Sequence, residues 1–543
     1  MNKILKHHKL KKFGHLLLST MLFSSLLFFA TFFWLEAFFG RQFDVEAVIF
    51  TLIMPLEGAD KTALYEYMKL AAIAVPLFLF VSWAYYRLLS ICSLMLPSTS
   101  SGQSNPAAEE LNQQPARQIL LIKRPRFLYA ALIVLAIMSF LGALLYLEDQ
   151  KRVLTFIFGP MEQTPLFVDY YQKLDAEQVS FEIKRNVVII ILESIENTFY
   201  DERRFGESLL PNLEKIREEN LSFDGFRDTR GATWTFSALA SFFNGLPIAF
   251  SKGVSDTIKK KNLTAFLPNA SSILEIFENH GYNMSLILGS DVTFSDKKLL
   301  FTTHASPKIL DYSYFQSSDS KGKDGFPINV GKWEPTNGDW GVPDPVIYAE
   351  AKKYLESYDS SQPFLLILET VDTHLPKGHF NGLVPAKWGD MRDCLVEADL
   401  LAYDFITWLQ SQSFAPSTTI IVLGDHLYPK FNLGGIKMPP AENRQPYNVF
   451  INPAIKMDSL KPNRNFAAFD LAPTILESAG ARLPEGGFGL GRSLFRPDLK
   501  TIFELRGKEW YEEEVRKRSP FYESLHGYQA SDDWVVKDGK STN

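Results

Sequence analysis

Glu193 stands immediately after the apolar run Val187-Val-Ile-Ile-Ile-Leu192, and Asp425-His426 ends a second such run, Thr418-Thr-Ile-Ile-Val-Leu-Gly424. Two carboxylates and an imidazole at two strand ends are donors suited to Mn²⁺ or Zn²⁺ and tolerable for Mg²⁺. Each also has an ordinary use. Glu193-Ser-Ile-Glu196 has the spacing of a helix cap, and Asp425 fits an N-cap in a turn. Between the two runs lies Gly231-Ala-Thr-Trp-Thr-Phe-Ser237. Thr233 and Thr235 both suit the start of the helix that follows, where backbone N–H groups and the helix dipole attract a phosphate. A threonine hydroxyl is a weak nucleophile until a metal or base activates it. Together these residues point to metal-assisted phosphoryl transfer. His374 closes Leu368-Glu-Thr-Val-Asp-Thr-His-Leu-Pro376 beyond a third apolar run. It can donate to a phosphate oxygen, pass a proton to or from an alcohol, or share a second metal with Asp372. The other histidines of the soluble part (His280, His304, His379 and His526) lack such a context and are expected on the surface or in loops.

These groups need strands to carry them. Short, β-branched, wholly apolar runs belong to strands buried on both faces of a parallel sheet, and ligands bind at the carboxyl ends of such strands. Strands are expected at Val187–Leu192, Met284–Leu288, Phe364–Glu369, Thr418–Leu423 and Asn448–Ile451. Helices are expected at Leu210–Glu219, Thr235–Asn244, Ala270–His280, Asp344–Tyr358, Met391–Ser411 and Asp470–Ser478. The alternation predicts an α/β fold, a mostly parallel sheet with helices on both faces.

Ahead of it, Leu16–Phe39, Leu70–Leu96 and Phe127–Leu147 are each long and apolar enough to cross a bilayer. Five lysines precede the first span, acids dominate the loop after it, and Arg117, Lys123, Arg124 and Arg126 precede the third. The charge bias predicts an uncleaved, three-span anchor with everything beyond Leu147 on the far side from the cytoplasm. Val45–Met54 and Phe156–Pro160 are expected at the membrane surface, and Ser98–Gln118 as a cytoplasmic linker. The expected division is 1–150 membrane region, 151–180 juxtamembrane tether, 181–500 catalytic domain and 501–543 surface tail. A net charge of -6 argues against nucleic acid as partner. The two cysteines, Cys92 in a span and Cys394 in the soluble part, are not expected to form a disulfide.

Six segments carry a resemblance: Val188–Ser194, Gly231–Ser237, Gly289-Ser-Asp291, Thr373-His374-Leu-Pro376, Gly424-Asp-His426 and Phe469-Asp-Leu-Ala-Pro-Thr474. Their types and order resemble the alkaline phosphatase and sulfatase superfamily, in its membrane-anchored branch. That branch holds lipoteichoic acid synthases, periplasmic-glucan phosphoglycerol transferases and lipopolysaccharide phosphoethanolamine transferases. The resemblance implies an alkaline-phosphatase-like fold in which Glu193, Thr235, Asp425 and His426 bind one divalent ion (Mn, Zn or Mg). It also implies Thr235 as nucleophile and His374 on the phosphate. By the same resemblance, a phosphoglycerol or phosphoethanolamine headgroup passes from a membrane phospholipid, through a phosphothreonine, to an envelope glycan or lipopolysaccharide. The implied location is the bacterial inner membrane, with the catalytic domain in the periplasm. The chain departs from the synthases where they carry a Trp-Asn-Arg clamp. Here Phe294-Ser-Asp-Lys-Lys298 offers Lys297 as a substrate cation, without an arginine's fork. Three spans instead of five point to the Gram-negative relatives. Neither cysteine lies in the Cys-x-Pro-x-Arg setting of a formylglycine sulfatase, which argues against sulfate hydrolysis. Rival readings are a hydrolase with water as acceptor and an assembly protein with a degenerate enzyme domain.

Overall fold

The computed structural model describes residues 2–39, 61–94, 125–151, 162–249, 264–316, 341–358 and 361–527. The expected linker Ser98–Gln118 and the interfacial segments Val45–Met54 and Phe156–Pro160 lie outside the described residues. The chain divides into two units, one built from residues before Pro160 and the other running on from it.

The first unit consists of helices α1 (Asn2–Phe39), α2 (Lys61–Leu94) and α3 (Pro125–Lys151). Each contains a stretch long and apolar enough to cross a membrane: Lys9–Ala37, Tyr65–Leu94 and Phe127–Tyr146. Leu22, Leu89, Cys92 and Ala136 pack between the helices. Polar side chains in this apolar setting find partners across helices. The His15 ring reaches Ser90 Oγ at 3.3 Å and the Tyr129 hydroxyl at 3.0 Å, and Ser19 donates to the Ser82 carbonyl at 2.6 Å.

The second unit is organised by a six-stranded sheet of β1 (Asn186–Leu192), β2 (Asn283–Leu288), β3 (Lys308–Leu310), β4 (Phe364–Glu369), β5 (Thr418–Gly424) and β6 (Asn448–Ile451). The strand order is β6-β5-β1-β4-β2-β3. All neighbours run parallel except β6, which is antiparallel to β5. The apolar runs show no alternation because both faces are covered. Val188, Ile190 and Leu192 join one core with residues of α7 (Asp344–Glu356) and α8 (Met391–Ser411), while Val187, Ile189 and Ile191 point the other way and are equally buried. Full burial of each such side chain stabilises by about 1.5–3 kcal/mol. Further helices of this α/β unit include α4 (Pro211–Glu219), α5 (Thr235–Asn244), α6 (Ile273–Asn279) and α9 (Leu471–Ser478). The ends of the expected helices shift by up to three residues where a cap intervenes. Ser272, for example, accepts from Leu274 N and starts α6 at Ile273. The three-residue edge strand β3 was too short to leave a hydrophobic pattern.

Three expectations need correction. Residues after Lys500 are folded, not a surface tail, as far as Gly527: α10 (Ile502–Arg506), α11 (Lys508–Glu514) and α12 (Pro520–Leu525) bury Ile502, Phe503, Tyr511, Val515, Tyr522 and Leu525. Much of the expected tether is likewise part of this body. Leu166 and Phe167 are fully buried, and Thr164 N donates to the Arg518 carbonyl at 3.0 Å. His526 lies in the interior, its ring against Tyr522 and Phe266, and the His304 side chain is only 5% exposed. His280 is held between the Ile276 and Val179 carbonyls. In each case short amphipathic helices or isolated rings gain burial from distant residues, which local composition does not show.

Candidate active site at the strand ends

Register brings the site together. Leu192 and Gly424 are partners in the parallel β1–β5 pair, so Glu193 and Asp425 emerge side by side from adjacent strands, 232 positions apart in sequence. Gly424 is required at this exit. A Cβ there would meet the Ile195 carbonyl oxygen at 1.9 Å, because the chain after β1 folds back over β5. Ser194 makes that turn in the left-handed region, with φ +56°, a conformation costing a non-glycine residue on the order of 1 kcal/mol. The strain is offset by what it aims. Ser194 N donates to Asp425 Oδ1 at 2.8 Å, and its hydroxyl donates to Glu193 Oε1 at 2.6 Å. From β4, Thr370 Oγ1 accepts from Glu193 N, and the Thr373 hydroxyl donates to the Glu193 carbonyl.

Glu193, Asp425 and His426 are all buried, and one ligand atom from each lies within 4.8 Å of the others. His426 Nε2 is 3.3 Å from Asp425 Oδ2 and 3.7 Å from Glu193 Oε1. Its Nδ1 faces the Leu427 carbonyl at 3.0 Å and must donate to it, which leaves Nε2 as the nitrogen directed at the carboxylates. That is the tautomer a metal-ligating histidine adopts. Asp425 Oδ2 is buried without a hydrogen-bond partner. Thr235, the first residue of α5, donates from Oγ1 to Glu193 Oε2 at 3.2 Å. An orphaned carboxylate oxygen, an aimed imidazole nitrogen and a hydroxyl around one point fit a divalent cation.

The electrostatics agree. Burial works to raise the Glu193 carboxyl, but His374 and His426, with hydrogen bonds from Ser194 and Thr235, outweigh it and hold Glu193 below its ordinary value. Burial and then the charge of Glu193 push Asp425 up to about 7. Burial opposes a charge on His426, but Asp425 and Glu193 overcome it and raise the imidazole to about 9. Two carboxyls thus compete for one positive neighbour, a demand that a divalent ion meets.

Sequence reasoning missed the braces around these groups. Glu196 does not cap a helix with its side chain. It accepts from Arg444 Nε at 2.8 Å and from Tyr428 N at 3.0 Å, with Arg444 Nη2 on its second oxygen. Arg444 also donates to the Tyr428 carbonyl, so this fully buried pair ties the turn after β1 to the loop carrying Asp425 and His426. No local pattern marks a partnership 248 residues apart.

His374 is half-buried and electrostatically coupled to Glu193, so it belongs to the same site. Its suggested metal partner Asp372 turns elsewhere, accepting from Asp344 N at 3.0 Å and Asn381 Nδ2 at 2.6 Å. Lys297 is the clear departure. The residue is 3% exposed, and its ammonium donates to both Glu369 oxygens, at 2.8 and 3.2 Å, and to Ser290 Oγ. With all three hydrogens engaged, it neutralises a buried glutamate and is not the substrate cation expected. The half-buried Lys430, four residues beyond His426, lies closer to that description. Its amine donates to the Pro376 carbonyl at 3.2 Å, in the loop that carries His374, and burial holds it below its ordinary value.

The family model described as Sulfatase matches residues 185–481. The chain is 24% identical to phosphoglycerol transferase I of Xanthomonas campestris pv. campestris (strain B100) over 387 residues, covering 69% of this chain and 51% of that protein. It is 26% identical to phosphoglycerol transferase I of Escherichia coli (strain 55989 / EAEC) over 353 residues, or 62% and 42% of the two chains. The chain spans about half the length of the curated relatives it matches. Among solved structures, the lipooligosaccharide phosphoethanolamine transferase A of Neisseria meningitidis superposes with TM-score 0.46 at 14% identity, over 86% of this chain and 84% of that one.

Proposed function

The chain belongs to the sulfatase family, and from that premise we propose that it is a metal-dependent transferase acting on phospholipid headgroups. The reaction moves a phospho-alcohol group from a membrane phospholipid, through a phosphothreonine on Thr235, to a hydroxyl of an envelope glycan or lipopolysaccharide. The observation that carries this reading is the Thr235 hydroxyl 3.2 Å from Oε2 of Glu193, one of the three residues, with Asp425 and His426, whose ligand atoms converge. Relatives named phosphoglycerol transferase I favour phosphoglycerol as the group moved. Family membership does not make the chain a sulfatase, since no cysteine or serine is followed by the x-Pro-x-Arg that formylglycine formation requires.

Glu193, Asp425, His426 and Thr235 would hold the ion, which lowers the pKa of a bound hydroxyl and offsets negative charge on phosphoryl oxygens. Thr235 Oγ, its proton passed to solvent before the attack, bonds to the headgroup phosphorus in line, the bond from phosphorus to the diacylglycerol oxygen breaks, and diacylglycerol leaves with a proton; the second step releases Thr235 as the same alkoxide. In this reading His374 supplies that proton, and takes one from the acceptor hydroxyl when it attacks the phosphothreonine and frees Thr235. Lys430 supplies the cation first assigned to Lys297. In this reading the three apolar helices anchor the chain in the inner membrane, and the lysines in the first turns of α1 favour a catalytic unit outside the cytoplasm, on the periplasmic side.

Mass spectrometry of Thr235 after exposure to phosphatidylglycerol or phosphatidylethanolamine bilayers tests the proposal. A phosphoglycerol or phosphoethanolamine adduct on Thr235 is expected. An unmodified Thr235 beside a turned-over donor would defeat the covalent route.

A further inference from the structure

We propose that the C-terminal helices α11 and α12, outside the family-model match, are a positioning clamp that holds both ends of the nucleophile helix α5 at the metal-ligating residues. The inference rests on the reading above for Thr235 as nucleophile, for the metal-ligating residues and for phospholipid as donor.

The chain reaches Thr235 through the turn 228–234 and leaves α5 through Gly245 to Ala249. These two approaches close on each other. Ile248 N donates to the Gly231 carbonyl at 2.9 Å. Gly231 has φ +80°, and a Cβ on it would lie 2.8 Å from the Ile248 oxygen and from Pro247. Residues of α11 and α12 fasten the resulting loop from outside. Lys508 Nζ donates to the Asp228 carbonyl at 2.7 Å, the buried Tyr511 hydroxyl donates to the Arg230 carbonyl at 3.0 Å, and Arg230 N donates to Glu512 Oε1 at 3.1 Å. On the exit side the Tyr522 hydroxyl bridges two groups, donating to the Pro247 carbonyl at 2.9 Å and accepting from Ala249 N at 3.2 Å. Asp228 is close enough to His426 to act on its charge, so the fastened loop borders the site.

The physical need is plain. Surface loops are mobile by default, yet a nucleophile must be held to about 0.5 Å, and a misplacement of about 1 Å costs up to about a hundredfold in rate. Five hydrogen bonds from one segment to the two flanks of α5 meet that need without touching substrate.

The test uses the full chain in detergent with phosphatidylglycerol micelles as probe, comparing wild type with Tyr511→Phe and Lys508→Met. Hydrogen exchange is followed over residues 228–236. Faster exchange there, with β1 and β5 unchanged, kcat lowered about 10- to 100-fold and KM near wild type, is the expected result. Lys508→Met removes a half-exposed amine and covers the case in which Tyr511→Phe fails to fold. Unchanged exchange in the folded variants, or wild-type kcat despite faster exchange, overturns the clamp. A wild-type protein that turns over no phospholipid counts against the functional reading instead, and exchange alone then decides whether the segment holds the loop.

Discussion

Neighbouring strands of this sheet end in buried charge clusters of opposite kinds. At the end of β4, Glu369 faces the ammonium of Lys297 with Ser290 beside it, and every hydrogen of the ammonium has an acceptor. At the ends of β1 and β5, two carboxyls share one imidazole, and a buried oxygen of Asp425 has no hydrogen-bond partner. Both clusters carry the desolvation cost of buried charge, but only the first is settled internally. The difference separates structure from chemistry. A closed ion pair stiffens the fold, whereas a deficit of positive charge and a free carboxylate lone pair are what a cation requires.

The comparison can be broken most directly at Asp425 and Thr235. Asp425→Asn is expected to lower metal content and Thr235→Ala to abolish transfer, each by at least about 10³-fold in rate, about 4 kcal/mol in the barrier. Melting should change little in either. A large fall in melting temperature, or bound metal retained by Asp425→Asn with activity intact, would place this cluster with the structural one. Lys297→Met should do the reverse and destabilise by about 3–5 kcal/mol by stranding Glu369, with most of the loss recovered in Lys297→Met/Glu369→Leu. Urea unfolding of the single and double variants reads that directly. If the double variant regains stability but not turnover, Lys297 has a substrate role after all.

A smaller effect comes from a buried group that stays neutral. Burial lowers His526 to about 4, whereas an unfolded histidine titrates near about 6.5. Below that value the unfolded chain takes up a proton that the folded chain refuses. The stability contribution is therefore complete above about pH 6.5 and lost as pH falls towards 4, up to about 3 kcal/mol. Calorimetry between pH 7 and 5 on wild type and His526→Phe should show a steeper acid loss in wild type. Equal slopes would mean that His526 charges freely in the fold.

What the sequence revealed follows from how local each signal is. Val187–Leu192 and Thr418–Gly424 read as doubly buried strands because burial on both faces leaves an unbroken apolar run, and the residues just past each run are then at the strand ends. That these strands are neighbours, with Leu192 opposite Gly424, is a matter of register that no run of one strand encodes. Lys297 shows the limit from the other side. Its type and position suited a substrate cation, but Glu369 lies 72 residues away and only folding reveals the pair. Lys508–Glu514 and Pro520–Leu525 are too short to display a helical period, and their charged faces hid Tyr511 and Tyr522.

One pairing described above has a topological corollary. Thr164 N donates to the Arg518 carbonyl, Arg518 N donates to the Glu162 carbonyl, and the Thr164 hydroxyl reaches Glu514. The first described residues of the α/β body thus lie beside its last described ones, Glu162–Thr164 against Glu514–Arg518 and Phe167 against Tyr522 of α12, like a ring lacking one link. Joining its ends there and reopening the chain at an exposed turn such as Gly435, where even an added Cβ would meet nothing within 4 Å, should yield a permuted protein with its catalytic strands in their original order in space.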